Sequence, residues 1–308
     1  MLVEKITSRQ NPLVKRFRRV RVAGERHLVF LEGVRLIEDA LGAGAHFESL
    51  AYSSEIESTE RGLALLDALQ KVPCRGALVT RQVMQAIADT ENPQGVVALA
   101  TRPHYDLEEV FDKSPQLIII ADRLQSPGNL GSIIRTAEAA SATALITTHD
   151  TVDPFNQKSL RASMGSAFRL PVATNAQPSD IFSLCRNHKM KIIASGPERE
   201  RNTPLIEDTD RIKPVFAHTE TDLTVPVALI LGREASGLAD NLRSNADGFV
   251  YIPMAGNIES LNVAAAAAVL LYEAARQRDF ARLKARSEKG RKRKGEKEKG
   301  RKGAGEPV

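Results

Sequence analysis

The chain has 308 residues, 42% of them hydrophobic, and a formal net charge of +5. This is long enough for two domains with a sizeable core and too apolar for a disordered composition. No apolar run nears the roughly 18–20 residues of a membrane span, the N-terminal basic stretch lacks a signal-peptide core, and Cys74 and Cys185 stand far apart, which argues against a membrane anchor, a disulfide framework or a Cys-based metal site and for a reducing cytoplasm.

The chain opens with a basic cluster: Arg9, Lys15, Arg16, Arg18, Arg19, Arg21 and Arg26, with Glu25 the single acid among them. Short apolar runs (27–31, 49–52, 76–79, 96–100) then alternate with helical patterns over 33–43 and 61–72, predicting a small α/β domain over residues 1–100. Residues 101–114 are polar and acid-rich and are expected to form a linker. From 115 onward, continuous apolar runs at 117–121, 144–147, 191–194, 227–231 and 249–252 predict a parallel sheet covered on both faces. A final helix is expected from about Asn262 through Lys284, followed by a disordered low-complexity tail over 285–308. From Ala281 onward there are 12 Lys/Arg against 4 Asp/Glu, whereas the preceding residues hold 31 against 34. Two basic segments flanking a near-neutral body point to a polyanion, nucleic acid above all, although such a tail also serves as a mere solubilising extension.

Three segments of the second domain differ from ordinary scaffold. The strand 117–121 runs into a Pro-Gly loop and a helix that Asn129 is expected to open, with Gly131 in the turn. Arg135, in the second turn, could reach the C-terminal edge of the sheet, where open α/β sheets bind ligands. Alone, Asn129 reads equally as a plain N-cap, and the glycines match neither a Walker loop nor a dinucleotide fingerprint. After strand 227–231 comes Gly232-Arg233-Glu234-Ala235-Ser236-Gly237, where two glycines bracket a glutamate and let backbone amides approach a ligand. After the last strand, Ile252-Pro253-Met254 leads through a polar loop to Ser260-Leu261-Asn262 and then to five consecutive alanines, Ala264–Ala268, a helix on which something must press closely. Capping explains Ser260 or Asn262 but not easily both.

Together, in this order and at strand ends, the three segments resemble the three motifs of the SpoU (TrmH-like) RNA ribose 2′-O-methyltransferases. The matching residues are Asn129 through Ala137, Gly232-Arg233-Glu234 with Gly237-Leu238, and Ile252-Pro253-Met254 through Ser260-Leu261-Asn262-Val263. The N-terminal segment is similar to the substrate-binding domain often joined to that family, through Ile6-Thr7-Ser8 and Phe30-Leu31-Glu32-Gly33. One departure is Arg233, where the family commonly carries a small or uncharged polar residue.

The resemblance implies an α/β methyltransferase domain over 115–284 with a deep trefoil knot, an exception to the rule against threaded connections. It implies a homodimer and S-adenosylmethionine as methyl donor; with no Cys/His ligand cluster near the donor segments, no metal is expected. Arg135, Asn129, Glu234, Ser260 and Asn262 become the catalytic candidates. Leu231, Gly232, Gly237, Ile252, Met254 and Leu261 become the donor-binding candidates. Arg9, Lys15, Arg16, Arg18 and Arg19 are the candidate RNA-binding cations. The family's arginine is often described as a general base; a guanidinium, which holds its proton in water at any physiological pH, makes phosphate binding and alkoxide stabilisation the easier role, with proton loss to water or Glu234. The implied substrate is structured RNA, 23S ribosomal RNA first and transfer RNA second, the enzyme being a housekeeping or an antibiotic-resistance methylase. A non-catalytic RNA-binding relative would be expected to lack the arginine or the Ser-x-Asn, and a nicotinamide enzyme would need a glycine fingerprint that is absent.

Overall fold

The protein is described here from a computed structural model, covering residues 2–25, 27–112, 114–196, 213–233, 240–258 and 260–279. Glu234, Gly237 and the basic tail lie outside the described residues, and the last helix, expected through Lys284, ends at Gln277 with Arg278 as its C-cap and Asp279 in the left-handed region.

The first sheet holds five strands: β1 (Leu2–Ile6), β2 (Leu28–Glu32), β3 (Phe47–Tyr52), β4 (Arg75–Val79) and β5 (Val96–Thr101), in the order β1-β4-β3-β5-β2. β1, β3 and β4 run parallel, and β5 is antiparallel to both β2 and β3. Helices α1 (Pro12–Ala23) and α4 (Arg81–Ile87) cover one face through Phe17, Val20, Val83 and Met84. Phe17 is fully buried, a contribution of about 1.5–3 kcal/mol from its side chain. The other face carries α2 (Val34–Gly42) and α3 (Glu60–Gln70). The sequence reading had not resolved β1, α1 or α4. β1 is a poor signal on its own, because Val3 and Lys5 face solvent and Leu2–Ile6 pairs with β4 alone.

The expected linker carries more structure than its polarity suggests. Helix α5 (Leu107–Phe111) opens with a capping box between Asp106 and Glu109 and buries Val110 and Phe111 against the second sheet.

That second sheet has seven parallel strands in the order β10-β12-β9-β11-β6-β7-β8. They are β6 (Leu117–Ala121), β7 (Ala144–Thr148), β8 (Val172–Ala176), β9 (Lys191–Ser195), β10 (Val215–Ala217), β11 (Val227–Leu231) and β12 (Gly248–Tyr251). Alternation along β6 shows why both faces are buried. Leu117, Ile119 and Ala121 point to the face covered by α6 (Pro127–Ala139), α7 (Gln157–Ser163) and α10 (Val263–Gln277). Ile118 and Ile120 point to the face covered by α5, α8 (Pro178–Asn187) and α9 (Asp240–Asn245). The chain steps from β6 to β7 and β8 on one side, then returns to β9 beyond β11 on the other. The strand order therefore reverses beside β6 and β11, and their C-terminal ends form the crevice in which such sheets place ligands.

The two sheets share one apolar cluster, which runs from Leu31, Ile37 and Leu50 to Leu130, Ile134 and Leu160. Arg102 bridges them with a two-pronged pair to Asp153 at 2.8 and 2.9 Å, its guanidinium 4.6 Å over the Phe155 ring. Gln157 Nε2 donates to the Phe30 carbonyl.

Candidate active site

The first motif lies at the β6–α6 junction, but Asn129 does not open the helix. Ser126 is the N-cap, its Oγ accepting from Asn129 N at 3.4 Å, and Pro127 follows in the first turn. Ser-Pro fits this place because proline lacks the amide hydrogen that a first-turn position leaves unpaired anyway. Asn129 thus sits inside the first turn with its side chain released from capping. Gly131 is not in a turn either. It is helical and buried, and a Cβ there would lie 2.3 Å from Ser159 O and 2.7 Å from Ala162 Cβ. The missing side chain lets α7 lie directly on α6, and Ser159 Oγ donates to Pro127 O at 3.1 Å to fix the contact.

The third motif ends on α10. Asn262 is its N-cap, Oδ1 accepting from Ala264 N at 2.9 Å. The same amide uses its other end to donate from Nδ2 to Asn129 Oδ1 at 3.2 Å. Residues 133 positions apart are joined side chain to side chain at the N-terminal ends of two packed helices. Ser260, two residues earlier, is exposed and makes no hydrogen bond among the described residues, so the capping belongs to Asn262 alone. Of the five alanines, Ala267 is buried and Ala264 packs on the core, while Ala265 faces solvent. Close packing against α6 therefore accounts for only part of the run.

The second motif begins at the end of β11. Leu231 is fully buried and its carbonyl accepts from Asp122 N at 2.9 Å, tying this strand end to the start of the first motif. Gly232 is half-buried and Arg233 exposed. Beyond β12, Ile252, Met254 and Leu261 are half-buried and Ile258 is 59% exposed. The backbone groups of 254–258 form no hydrogen bond among the described residues. Apolar side chains beside unpaired loop amides and carbonyls suit a flat heterocycle with a polar edge, and an adenosine fits that description. No cluster of three or more His, Cys, Asp or Glu able to hold a metal occurs among the described residues.

Arg135 is not drawn into this junction. It is exposed, without a hydrogen bond or ion pair among the described residues, and lies six residues along α6, about 9 Å of rise from Asn129. On α1, Arg16 is held by Glu48 at 2.9 Å and Arg19 lies 3.7 Å from Glu25. Lys15 and Arg18 are exposed and make no such pair among the described residues, as is Arg9 just before the helix.

Sequence reading missed Asp122, only 2% exposed at the C-terminal end of β6. Its carboxylate accepts from Thr148 Oγ1 at 2.8 Å and Arg123 Nε at 3.1 Å, locking the loop that leads into the first motif. The signal was a lone acid directly after five apolar strand residues.

Comparison with known proteins now decides the family. The model of the SpoU rRNA methylase family matches residues 116–272, just over half of the chain, and that of the MRM3-like substrate-binding domain matches 4–98. The chain belongs to the SpoU rRNA methylase family. It is 34% identical over 282 residues to an uncharacterised tRNA/rRNA methyltransferase of Synechocystis, covering 89% of this chain and 94% of that one. It is 34% identical over 249 residues to a 23S rRNA uridine 2′-O-methyltransferase of Streptomyces viridochromogenes, covering 80% and 82%. Among solved structures, an AdoMet-bound rRNA methyltransferase from Sinorhizobium meliloti superposes with a TM-score of 0.72 at 30% identity, covering 89% of this chain and 98% of that one. AviRb from Streptomyces viridochromogenes with AdoMet bound gives 0.73 at 28%, covering 87% and 98%.

Proposed function

We propose that this SpoU-family enzyme transfers the methyl group of S-adenosylmethionine to a ribose 2′-hydroxyl of 23S ribosomal RNA. The observation that carries this reading is the Asn129–Asn262 hydrogen bond, which joins the first and third motifs at the crevice between β6 and β11. The donor supplies an electrophilic methyl on a sulfonium; the ribose oxygen bonds to that carbon, the carbon–sulfur bond breaks, and the hydroxyl proton is lost.

The loop 252–261 would hold the adenosine through Ile252, Met254 and Leu261, with Leu231, Gly232 and Gly237 contributing from the second motif. Asn129 and Asn262 would orient the ribose, and Ser260, which makes no hydrogen bond among the described residues, would line the reacting centre. Arg135 would bind the adjoining phosphate and steady negative charge on the oxygen, a role that its exposure and the absence of an ion pair among the described residues favour over proton abstraction. The proton would pass to water or to Glu234. Alignment of the two reactants is the larger effect, supplying several kcal/mol.

The division that supports this chemistry is an RNA-binding domain over 1–100, a connector over 101–114 that carries α5, and a knotted catalytic domain over 115–284, followed by the basic tail. A cytoplasmic homodimer completes the reading. Tyr272 on α10 and Ile258 in the donor loop are 49% and 59% exposed, a surface that a second copy would cover and through which Arg135 would meet a complete site. No helix among the described residues is long and apolar enough to cross a membrane.

Calorimetry with S-adenosylmethionine, with and without a chelator, tests the donor half: binding should be unchanged by chelation. Transfer of labelled methyl to a 23S rRNA transcript tests the other half. Labelling of transfer RNA in preference would move the substrate to the runner-up.

A further inference from the structure

Between the two domains, away from the β6–β11 crevice, lies a cleft of about 330 Å3. Its floor is apolar: Leu36 of α2, with Leu160 and Met164 from α7 and its C-cap. Asn92 and Gln94 stand on one wall, and Arg35 and Arg161 reach in from the two domains. Pockets for small ligands begin at roughly 300 Å3, so this space admits one nucleotide-sized group rather than a duplex.

The polar groups are arranged in two sets. Glu32, nearly buried, is consumed internally: its carboxylate accepts from Asp89 N at 2.6 Å, from Thr90 N at 3.2 Å and from Thr90 Oγ1. It fixes the loop that carries Asn92 and Gln94. Gln94 Oε1 accepts from Val34 N at 2.9 Å, which orients its amide. The Asn92 side chain and the Arg35 guanidinium are exposed and hydrogen-bond to nothing among the described residues. Arg161 is half-engaged, 3.6 Å from Asp89. Asp39 also lines the cleft, where its charge offsets part of Arg35, and burial raises its carboxyl above the usual range. An apolar floor flanked by carboxamides and guanidinium groups is the chemistry that takes a nucleobase by its face, reads its edge and holds its phosphates.

The position matters as much as the chemistry. α7 presents Leu160 and Arg161 to the cleft while Ser159 and Ala162 lie against Gly131 of α6. Arg135 follows Gly131 by one helical turn on nearly the same face. α7 therefore packs on the cleft with one side and on the α6 helix that carries Arg135 with the other.

We infer that the interdomain cleft binds one unstacked nucleotide of the substrate RNA, distinct from the methylated one, and so registers the RNA on the catalytic domain. The inference rests on the reading of the chain as an rRNA methylase. Asn92 is a base-reading group, and Arg35 and Arg161 are phosphate-binding groups.

The test uses the full-length protein and a 23S rRNA transcript carrying 4-thiouridine. Photocrosslinking followed by peptide mapping should place adducts within 90–94 or 158–164, and cold transcript should compete them away. Asn92→Ala should raise KM for the transcript about tenfold, and Arg35→Ala should weaken binding and lower the slope of log affinity against log salt by about one. Affinity for S-adenosylmethionine should stay within twofold in both. Because Arg161→Ala also removes an ion pair between the domains, Asn92→Ala and Arg35→Ala are the deciding variants. Crosslinks confined to α1, or both variants with wild-type KM and salt slope on a transcript that the wild type methylates, would overturn the cleft. A wild type that methylates no 23S rRNA would instead remove the function on which the cleft rests.

Discussion

Asn262 performs two tasks with one amide, and conservative changes separate them. Asn262→Ala removes the N-cap acceptor for Ala264 N and the donor to Asn129 Oδ1. Loss of the cap costs about 1 kcal/mol. The exposed side-chain hydrogen bond adds about 0.5–1 kcal/mol at most. At about 2–4 °C per kcal/mol for a chain somewhat smaller than this one, Tm should fall by roughly 3–8 °C. Asn262→Asp keeps an oxygen on Ala264 N and places a negative charge at a helix N-terminus, worth about 0.3–1 kcal/mol in favour. It also sets two oxygens against each other, and Asn129 can answer only by turning its amide over, which reverses the donor and acceptor it offers the ribose. The aspartate variant should therefore melt within about 2 °C of wild type while methyl transfer falls at least about tenfold, a barrier increase of about 1.4 kcal/mol. Thermal unfolding by circular dichroism and labelled-methyl transfer, run on the same preparations, measure both. An aspartate variant as unstable as the alanine one, or as active as wild type, would refute the separation.

Gly131→Ala gains about 1 kcal/mol of helix propensity but drives a Cβ into Ser159 O, which is backbone and cannot swing aside. Overpacking of about 1–3 kcal/mol should win, lowering Tm and weakening donor binding as α7 shifts; an unchanged Tm would show that α6 and α7 are not in close contact. Arg135→Ala should fold and bind S-adenosylmethionine normally yet lose most methyl transfer, and Arg135→Lys should restore only part because an ammonium lacks the two-pronged geometry; full turnover in the lysine variant would rule out a guanidinium-specific role. Neutralising Lys15 and Arg18, the α1 cations that make no ion pair among the described residues, should weaken RNA binding and reduce its salt slope by about two, whereas Arg16→Gln, already held by Glu48, should change the slope less. Filter binding across a salt series distinguishes them, and equal slopes in all variants would remove α1 from the RNA surface.

The apolar runs of the second sheet were legible because both faces are buried and the residues are aliphatic throughout; β6 and β11 match their sequence limits residue for residue. Weaker elements were not. β10 has three residues, with Phe216 42% exposed at the sheet edge, and β1 holds exposed Val3 and Lys5. In the first motif the structure changes the expected local roles of two residues. Ser126-Pro127 carries the start signal, so Asn129 is not the cap and hydrogen-bonds Asn262 instead, and Gly131 is not in a turn but makes room for α7. Pairing across 133 residues has no signature in local periodicity, and neither does the shared cluster between the domains. The place of Arg135 was not legible for a different reason: its partners among the described residues are none, so its geometry depends on what binds.

The central claim is best tested by locating the methyl group itself. A 23S rRNA transcript labelled by this protein from methyl-labelled S-adenosylmethionine is hydrolysed in alkali and the products separated. Methylation of a 2′-hydroxyl blocks cleavage at that phosphate, so the label should emerge in one alkali-resistant dinucleotide and should vanish with Arg135→Ala. Label released in mononucleotides would place the methyl on a base, and would contradict the ribose chemistry assigned to this site.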